Sequence, residues 1–454
     1  MAESEPTCPG CRERDGIIRR LEERVSSLEK RVEESERRSH RQTAPFSRGF
    51  LKPDPKPPGR KPGHEGEHRA TPTQVDEVLD AALPAACPGC GGTVIEDSVL
   101  PQYQTDIPPV TPVTTRFDVH VGHCCGCGRR VQGRHPFQTS QALGAAAVQF
   151  GPRVVAMGLE LHVRMGLSFR KLSEFLVRFL GLKAAPSSFA RAMRRLAKKM
   201  RGTRDEILQA LRASTSCHGD GTGWRVGGES ACLHTVCTKT EALYLVDRRW
   251  GADPTIEVLG EDYAGVFGSD GLRAFEKLTW RRQRCIPHLL RFAREIEAEQ
   301  IRGAVLYPRA VKALLKDAMA LGKKREDIAE STFARTFRSL KTRLERVLFA
   351  DLRDEDNARL RGRLWTAAPH LFTFLEVPGV EADNNEAERT LRPPIITRKL
   401  SAGNRTWAGA EAWATVASGI ETSRRRGVDF TMFVIRLLRA PAPQFQPAFA
   451  VMTR

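Results

Sequence analysis

Thr215-Ser216-Cys217-His218-Gly219-Asp220 reads as a short strand that ends in an acid, and Gly265-Val266-Phe267-Gly268-Ser269-Asp270-Gly271 repeats that pattern. Between them lie two more strand-like runs, Ala231–Cys237 and Ala242–Asp247, with Lys239-Thr240-Glu241 in the turn. The glycines at 221, 223, 227 and 228 read as turn residues, which makes the first three strands an antiparallel meander. A helix-like piece runs from Pro254 to Leu259, Leu272–Leu278 reads as a short helix, and Trp280–Cys285 is a fifth strand. A long helix starts near His288.

The order β-β-β-α-β-α-β-α is that of a ribonuclease-H-like fold. In that topology the first and fourth strands run side by side, so Asp220 and Asp270 are expected together. Taken singly, either aspartate is as well explained as a turn or cap residue. Taken as a pair, two like charges a few ångströms apart raise each other's pKa unless a cation neutralises them. Magnesium, or manganese in its place, takes carboxylate oxygens in octahedral geometry. Two such ions roughly 3.5–4 Å apart serve the attacking and leaving oxygens of a phosphodiester displacement. A third carboxylate is expected from a helix. Residues from about 290 to 376, rich in Arg, Lys, Leu and Ala, read as a helical insertion. After Pro378-Gly379 comes Asp383-Asn384-Asn385-Glu386-Ala387-Glu388-Arg389-Thr390-Leu391-Arg392. Asn384 is expected to cap this helix, which should end before Pro393. Glu388 and Leu391 are neighbours on its surface, and Glu386 reads as a complement to the helix dipole. Periodicity prefers Glu388 to Glu386 only mildly.

The chain has 454 residues, 41% of them hydrophobic, which suggests two to four folded units. Its apolar runs are too short for a membrane span. It begins Met1-Ala2-Glu3-Ser4-Glu5, which does not read as an export signal. Lys and Arg number 72 against 54 Asp and Glu, a formal charge of +18. An excess of that size favours a polyanion partner, although a merely basic protein would share it.

Six of the 11 cysteines fall in Cys-x-x-Cys pairs. With no export signal, metal-binding thiolates are expected rather than disulfides. Cys8-Pro9-Gly10-Cys11 alone supplies only two ligands. Cys87-Pro88-Gly89-Cys90 and Cys124-Cys125-Gly126-Cys127, each followed by a glycine, suit four-thiolate structural zinc, with Cys125 spare. The run Val113–Val121 is expected to form a hairpin between the two pairs. Ile18, Leu21, Val25, Leu28 and Val32 step by 3 and 4, the seam of a short coiled coil or of a lone amphipathic helix. The prolines at 53, 55, 57, 58 and 62 preclude helix and central strand. Around Arg60 and Lys61 that segment is either a basic arm for a DNA groove or a tether. Residues 145–212 read as helical. Ser168 caps one helix, Gly181 closes it, and Pro186 opens another that carries Arg191, Arg194, Arg195, Lys198 and Lys199. That arrangement resembles a helix-turn-helix, and a solvated basic face is an equal reading.

The block Asp383–Pro393, together with Asp220-Gly221-Thr222-Gly223-Trp224 and Ser269-Asp270-Gly271, resembles the catalytic motifs of insertion-sequence-66 family transposases. The cysteine pairs, the N-terminal heptads and the turn from Gly59 to Gly66 match that family's plan as well. The resemblance covers nearly the whole chain, and Gly221 and Pro287 are its departures. It implies that Asp220, Asp270 and Glu388 are the acidic triad of a DDE transposase. It also implies that Cys87, Cys90, Cys124 and Cys127 are the zinc ligands. Cys285-Ile286-Pro287-His288 resembles the Cys-x-x-His that follows the second Asp in such enzymes.

The expected organisation is a Cys pair and coiled-coil helix (1–40), a basic linker (41–72) and a zinc ribbon (73–140). A helical DNA-binding region (141–212), a ribonuclease-H-like catalytic domain (213–398) and a C-terminal helical region (399–454) follow. The expected activity is metal-dependent cleavage at transposon ends, in which water attacks first and the freed 3′-hydroxyl then attacks target DNA. The alternatives are an inactive regulator that only binds the ends, or a nuclease without joining activity. Expected DNA contacts are Arg60, Lys61, Arg191, Arg194, Arg195, Lys198, Arg389 and Arg392, with Arg398 and Lys399 further candidates. Expected partners are DNA, further copies of the chain and accessory proteins of the element, in the bacterial cytoplasm on the nucleoid.

Overall fold

The computed structural model describes residues 69–440 other than 301, and before them Ile18, residues 22–26, residues 28–29 and Gly63. The Cys8–Cys11 pair, most of the heptad seam and the turn holding Arg60 and Lys61 lie outside the described residues. Of the seam, Ile18, Val25 and Leu28 are helical and exposed. The chain forms two units, Met1–Pro109 and Val110–Arg454. In the first, residues 69–109 contain no helix or strand, and Cys87 to Gly92 form a tight turn.

The second unit opens with a small hairpin, β1 (Val121–His123) against β2 (Arg130–Gln132). This differs from the sequence expectation. The hairpin encloses the second cysteine pair, and residues 91–120 between the pairs form no strand. Val113–Val121 has strand-like side chains, but an extended run needs a partner for its backbone groups. Only the end of that run finds one, where the His120 carbonyl accepts the Gly133 N–H and Val121 pairs with Gln132.

Four helices follow: α1 (Pro152–Val163), α2 (Phe169–Leu180), α3 (Pro186–Lys199) and α4 (Arg201–Arg212). The Ser168 hydroxyl accepts the Lys171 N–H, and Gly181 closes α2 in the left-handed region at φ 63°.

A five-stranded mixed sheet comes next, in the order β5-β4-β3-β6-β7. Its strands are β3 (Ser216–Val226), β4 (Glu229–Cys237), β5 (Ala242–Asp247), β6 (Val266–Ser269) and β7 (Arg282–Arg284). The short helix α5 (Asp253–Leu259) joins β5 to β6. Strands β3, β4 and β5 are antiparallel, whereas β6 and β7 run parallel to β3. Asp220 does not end its strand. β3 continues through Gly221 and Gly223, and only Gly227 and Gly228, at positive φ, make the turn. Gly221 and Gly223 pair in register with His234 and Cys232, so the ladder overrides their local preference for a turn.

Helices α6 (Ile286–Glu299), α7 (Leu306–Lys323), α8 (Glu330–Leu348), α9 (Glu355–Ala367) and α10 (Thr373–Glu376) form the insertion around their own core. The chain then returns through α11 (Asn385–Ser401), α12 (Trp407–Arg425) and α13 (Phe430–Arg439). One face of the sheet packs on α1, α3, α12 and α13, where Trp413 meets Trp224 and Tyr244 with ring centres 4.9 and 6.0 Å away. The other face packs on α4 and α5 through Ile207, Leu211, Val258 and Phe267.

α12 also covers the exposed edge of the sheet. Edge strands leave backbone groups unpaired. Here the Ser418 hydroxyl accepts the Tyr244 N–H at 2.9 Å and the Thr422 hydroxyl accepts the Ala242 N–H at 3.1 Å. The small residues along α12 allow that approach.

Burial holds the imidazoles of His162, His218 and His234 below their ordinary value, and drives His370 down to about 4. His162 stacks on Phe169 at 4.0 Å and hydrogen bonds to the Leu167 carbonyl. Each is depressed in the folded state, so the unfolded chain binds the proton first. Stability is therefore full above the unfolded value near pH 6.5 and falls as pH drops toward 4. His162 alone contributes a slope of at most about 1.4 kcal/mol per pH unit. The melting temperature should fall between pH 7 and pH 5; a flat or rising curve would refute this.

Candidate active site

The parallel ladder of β3 and β6 aligns Ser216 with Val266, Cys217 with Phe267 and His218 with Gly268. Carried two residues further, the same register sets Asp220 beside Asp270. Two glycines permit the close packing beneath them. A β-carbon on Gly268 would lie 2.7 Å from His218 Nδ1, and one on Gly219 would lie 2.3 Å from the Phe267 ring. Asp220 is half-buried, and its Oδ1 accepts the Gly221 N–H at 2.7 Å. Asp270 accepts the Leu272 N–H at 3.0 Å in a local turn. Burial pushes the Asp220 carboxyl up to about 6; the Gly221 N–H opposes this, and repulsion from Asp270 and Glu388 adds to it. All three acids therefore share one electrostatic site.

Glu388 comes from α11, which is fastened to the sheet along its length. Asn384 stands at the N-cap position, but its side chain does not cap the helix. Its amide donates to the Gly219 carbonyl at 3.1 Å, and its oxygen lies 3.3 Å from His218 Nδ1. The expected cap is thus replaced by a tether beside Asp220. The helix also runs straight through Pro393 and Pro394 rather than ending before them. Pro394 has no N–H for the Thr390 carbonyl, and the Tyr244 hydroxyl supplies that hydrogen bond at 2.7 Å. Glu386, read in sequence as a dipole complement, pairs with Arg425 at 2.7 Å and Arg389 at 2.8 Å. Burial raises its carboxyl, but Arg389 and Arg425 together hold it below the usual range.

Glu388 itself is half-buried, with Oε1 3.8 Å from His288 Nε2. The other ring nitrogen of His288 lies 3.1 Å from Cys285 Sγ. The Cys-x-x-His spacing pointed to these two residues, but only the fold brings them against the glutamate. As they stand, no three His, Cys, Asp or Glu side chains among the described residues form a ready-made metal cage. One oxygen of each aspartate is turned to a neighbouring backbone N–H.

The basic residues divide into two groups. Arg191, Arg194, Arg195 and Lys198 are exposed on one face of α3, and Arg392 and Lys399 are exposed on α11. Arg389 is exposed as well but is tied to Glu386. Lys199 and the candidate Arg398 are used internally. The Lys199 ammonium caps carbonyls at the end of α13, and the Arg398 guanidinium donates to the Thr222 hydroxyl and the Gly223 carbonyl.

The cysteine pairs share one local geometry. Cys87 N–H donates to the Gly92 carbonyl and Gly91 N–H to the Cys87 carbonyl; Cys124, Gly128 and Arg129 repeat the pattern. Backbone N–H groups lower the Cys87 thiol, chiefly that of Gly89, and the Cys124 thiol, chiefly that of Cys127. Both turns thus favour the thiolate.

The family model that matches residues 147–412 is one of transposases. It is the one described as Transposase IS66 family, and the chain belongs to that family. An uncharacterized protein of Sinorhizobium fredii (strain NBRC 101917 / NGR234), y4qI, is 42% identical over 59 residues. That match covers 13% of this chain and 11% of the relative, a small part of either. No helix among the described residues is long and apolar enough to cross a membrane.

Proposed function

We propose that this transposase cuts DNA at the ends of its element and joins them to target DNA, on a ribonuclease-H-like core with Asp220, Asp270 and Glu388 as the acids. The parallel pairing of β3 with β6 carries this reading, because it aligns the two aspartates. The strand order and the family membership support it.

The donor set fits a hard divalent cation. It consists of three carboxylates whose mutual repulsion helps raise Asp220, and a cation relieves that repulsion. Asp220, Asp270 and Glu388 would hold two magnesium or manganese ions once the aspartates turn from their backbone partners. When bound, these ions supply activation of the attacking oxygen and charge stabilisation of the leaving one. The chain's own residues position the strand. The α11 tethers hold Glu388 against β3, and the exposed bases of α3 and α11 take DNA phosphates. Water first breaks a P–O bond at the element end and frees a 3′-hydroxyl. That hydroxyl then attacks a target phosphodiester and displaces one strand end.

Structural zinc on Cys87, Cys90, Cys124 and Cys127 is part of the same proposal, supported by the paired spacing and the two matching turns. We further propose assembly through the N-terminal heptads and action on the bacterial nucleoid. The deciding experiment incubates purified protein with labelled element ends, target DNA and magnesium. Cut and joined products are expected. Binding without nicking would mean a regulator, and cutting without joining a nuclease. In the same preparation, metal analysis should find one zinc per chain, lost in Cys124→Ser. Zinc content unchanged by that substitution would refute the ligand set.

A further inference from the structure

A cavity of about 880 Å³ lies between the loop after β6 and helices α6 and α9, with Asp270 on its wall. Five arginines line it, Arg273, Arg284, Arg291, Arg359 and Arg363, against three carboxylates, Asp270, Glu276 and Glu295. Arg284 is half-buried; burial lowers its guanidinium, the charges of Glu276 and Asp270 offset this only in part, and no side chain among the described residues hydrogen bonds to it or forms an ion pair with it. A partly desolvated, unpaired cation is costly, and an incoming anion removes that cost. The Arg363 guanidinium lies 3.7 Å over the Phe292 ring, which leaves its outer face open for stacking.

We propose that this cavity takes unpaired nucleotides of the DNA strand that adjoins the phosphate held at Asp270. Arginines meet the phosphates, and the Arg363–Phe292 stack offers a platform to a base. Size excludes the double helix. Pockets of about 300–1,000 Å³ hold ligands of one or a few rings, and a duplex is wider than its own major groove of about 12 Å. The inference rests on reading Asp270 as one of the cleavage acids, because that puts a phosphate at the cavity mouth.

The test uses the full chain and a fluorescent twelve-residue oligothymidylate, with binding read by anisotropy across a salt series. Arg291 and Arg363 are exposed, so Arg291→Gln with Arg363→Gln should keep the wild-type melting temperature. Affinity for the single strand should fall about tenfold or more, and the salt slope should drop by about 1.4, or 0.7 for each lost phosphate contact. The paired lysine substitutions should recover the slope but not all of the affinity, because Lys lacks the stacking plane. Binding to a blunt duplex should change far less. Unchanged single-strand binding, or equal loss for duplex and single strand, overturns the proposal. Glu388→Gln separates this from the cleavage reading, because it should leave oligothymidylate affinity intact whether or not the wild-type protein cuts.

Discussion

Glu388→Gln should abolish magnesium-dependent cutting of element ends while DNA binding stays within about twofold of wild type. The substitution keeps the size and polarity of the side chain and removes one negative charge from a site where three carboxylates interact. An amide is a poor ligand for magnesium, and losing a metal-holding carboxylate costs several kcal/mol of transition-state stabilisation, or about 10³-fold in rate. Relief of the repulsion should leave the fold as stable as before or slightly more so, so a loss of activity cannot be assigned to unfolding. Cutting that persists within tenfold of wild type would exclude Glu388 from the chemistry. Glu386→Gln separates the two roles: Glu386 pairs with Arg389 and Arg425 rather than facing Asp220, so it should cost stability while the protein that stays folded still cuts.

Arg425→Ala should produce the largest loss of stability among single polar substitutions. The Arg425 side chain is only 3% exposed and pairs with both Glu386 and Glu421. It also donates to the Thr390 hydroxyl and the Thr238 carbonyl. It therefore joins α11, α12 and the turn between β4 and β5. Breaking a buried ion pair by removing one partner costs about 3–5 kcal/mol. The lower end is expected here, because Arg424 and Arg164 still partner Glu421, and Arg389 still partners Glu386. α11 carries Glu388, so cleavage should fall together with the melting temperature. A denaturant midpoint indistinguishable from wild type would show that this network is not what holds the helix.

The three proposed acids could be picked out of the chain because a strand ending near Asp, a second such strand and a helix with Glu are local patterns; that their charges meet is seen only in the fold. So were the α2 cap at Ser168 and the stop at Gly181, which depend on side chains within a few residues. The paired cysteine spacing was legible for the same reason. In three places a local preference is overruled from a distance. Gly221 and Gly223 suggested turns, but β4 supplies their ladder. Pro393 suggested a helix end, but the Tyr244 hydroxyl satisfies the carbonyl that Pro394 leaves free. Asn384 suggested a cap, but His218 and Gly219 claim its amide.

Local patterns in the sequence alone determined which residues carry charge, thiol and hydrogen-bonding capacity, and the order in which strands and helices follow. Only the tertiary structure decided which of them meet. The neighbourhood of β3 and β6 was expected from the element order, whereas the His288–Glu388 contact and the arginine cavity join residues far apart in the chain that no motif links. Such contacts depend on the packing of whole elements, which no window of neighbouring residues encodes.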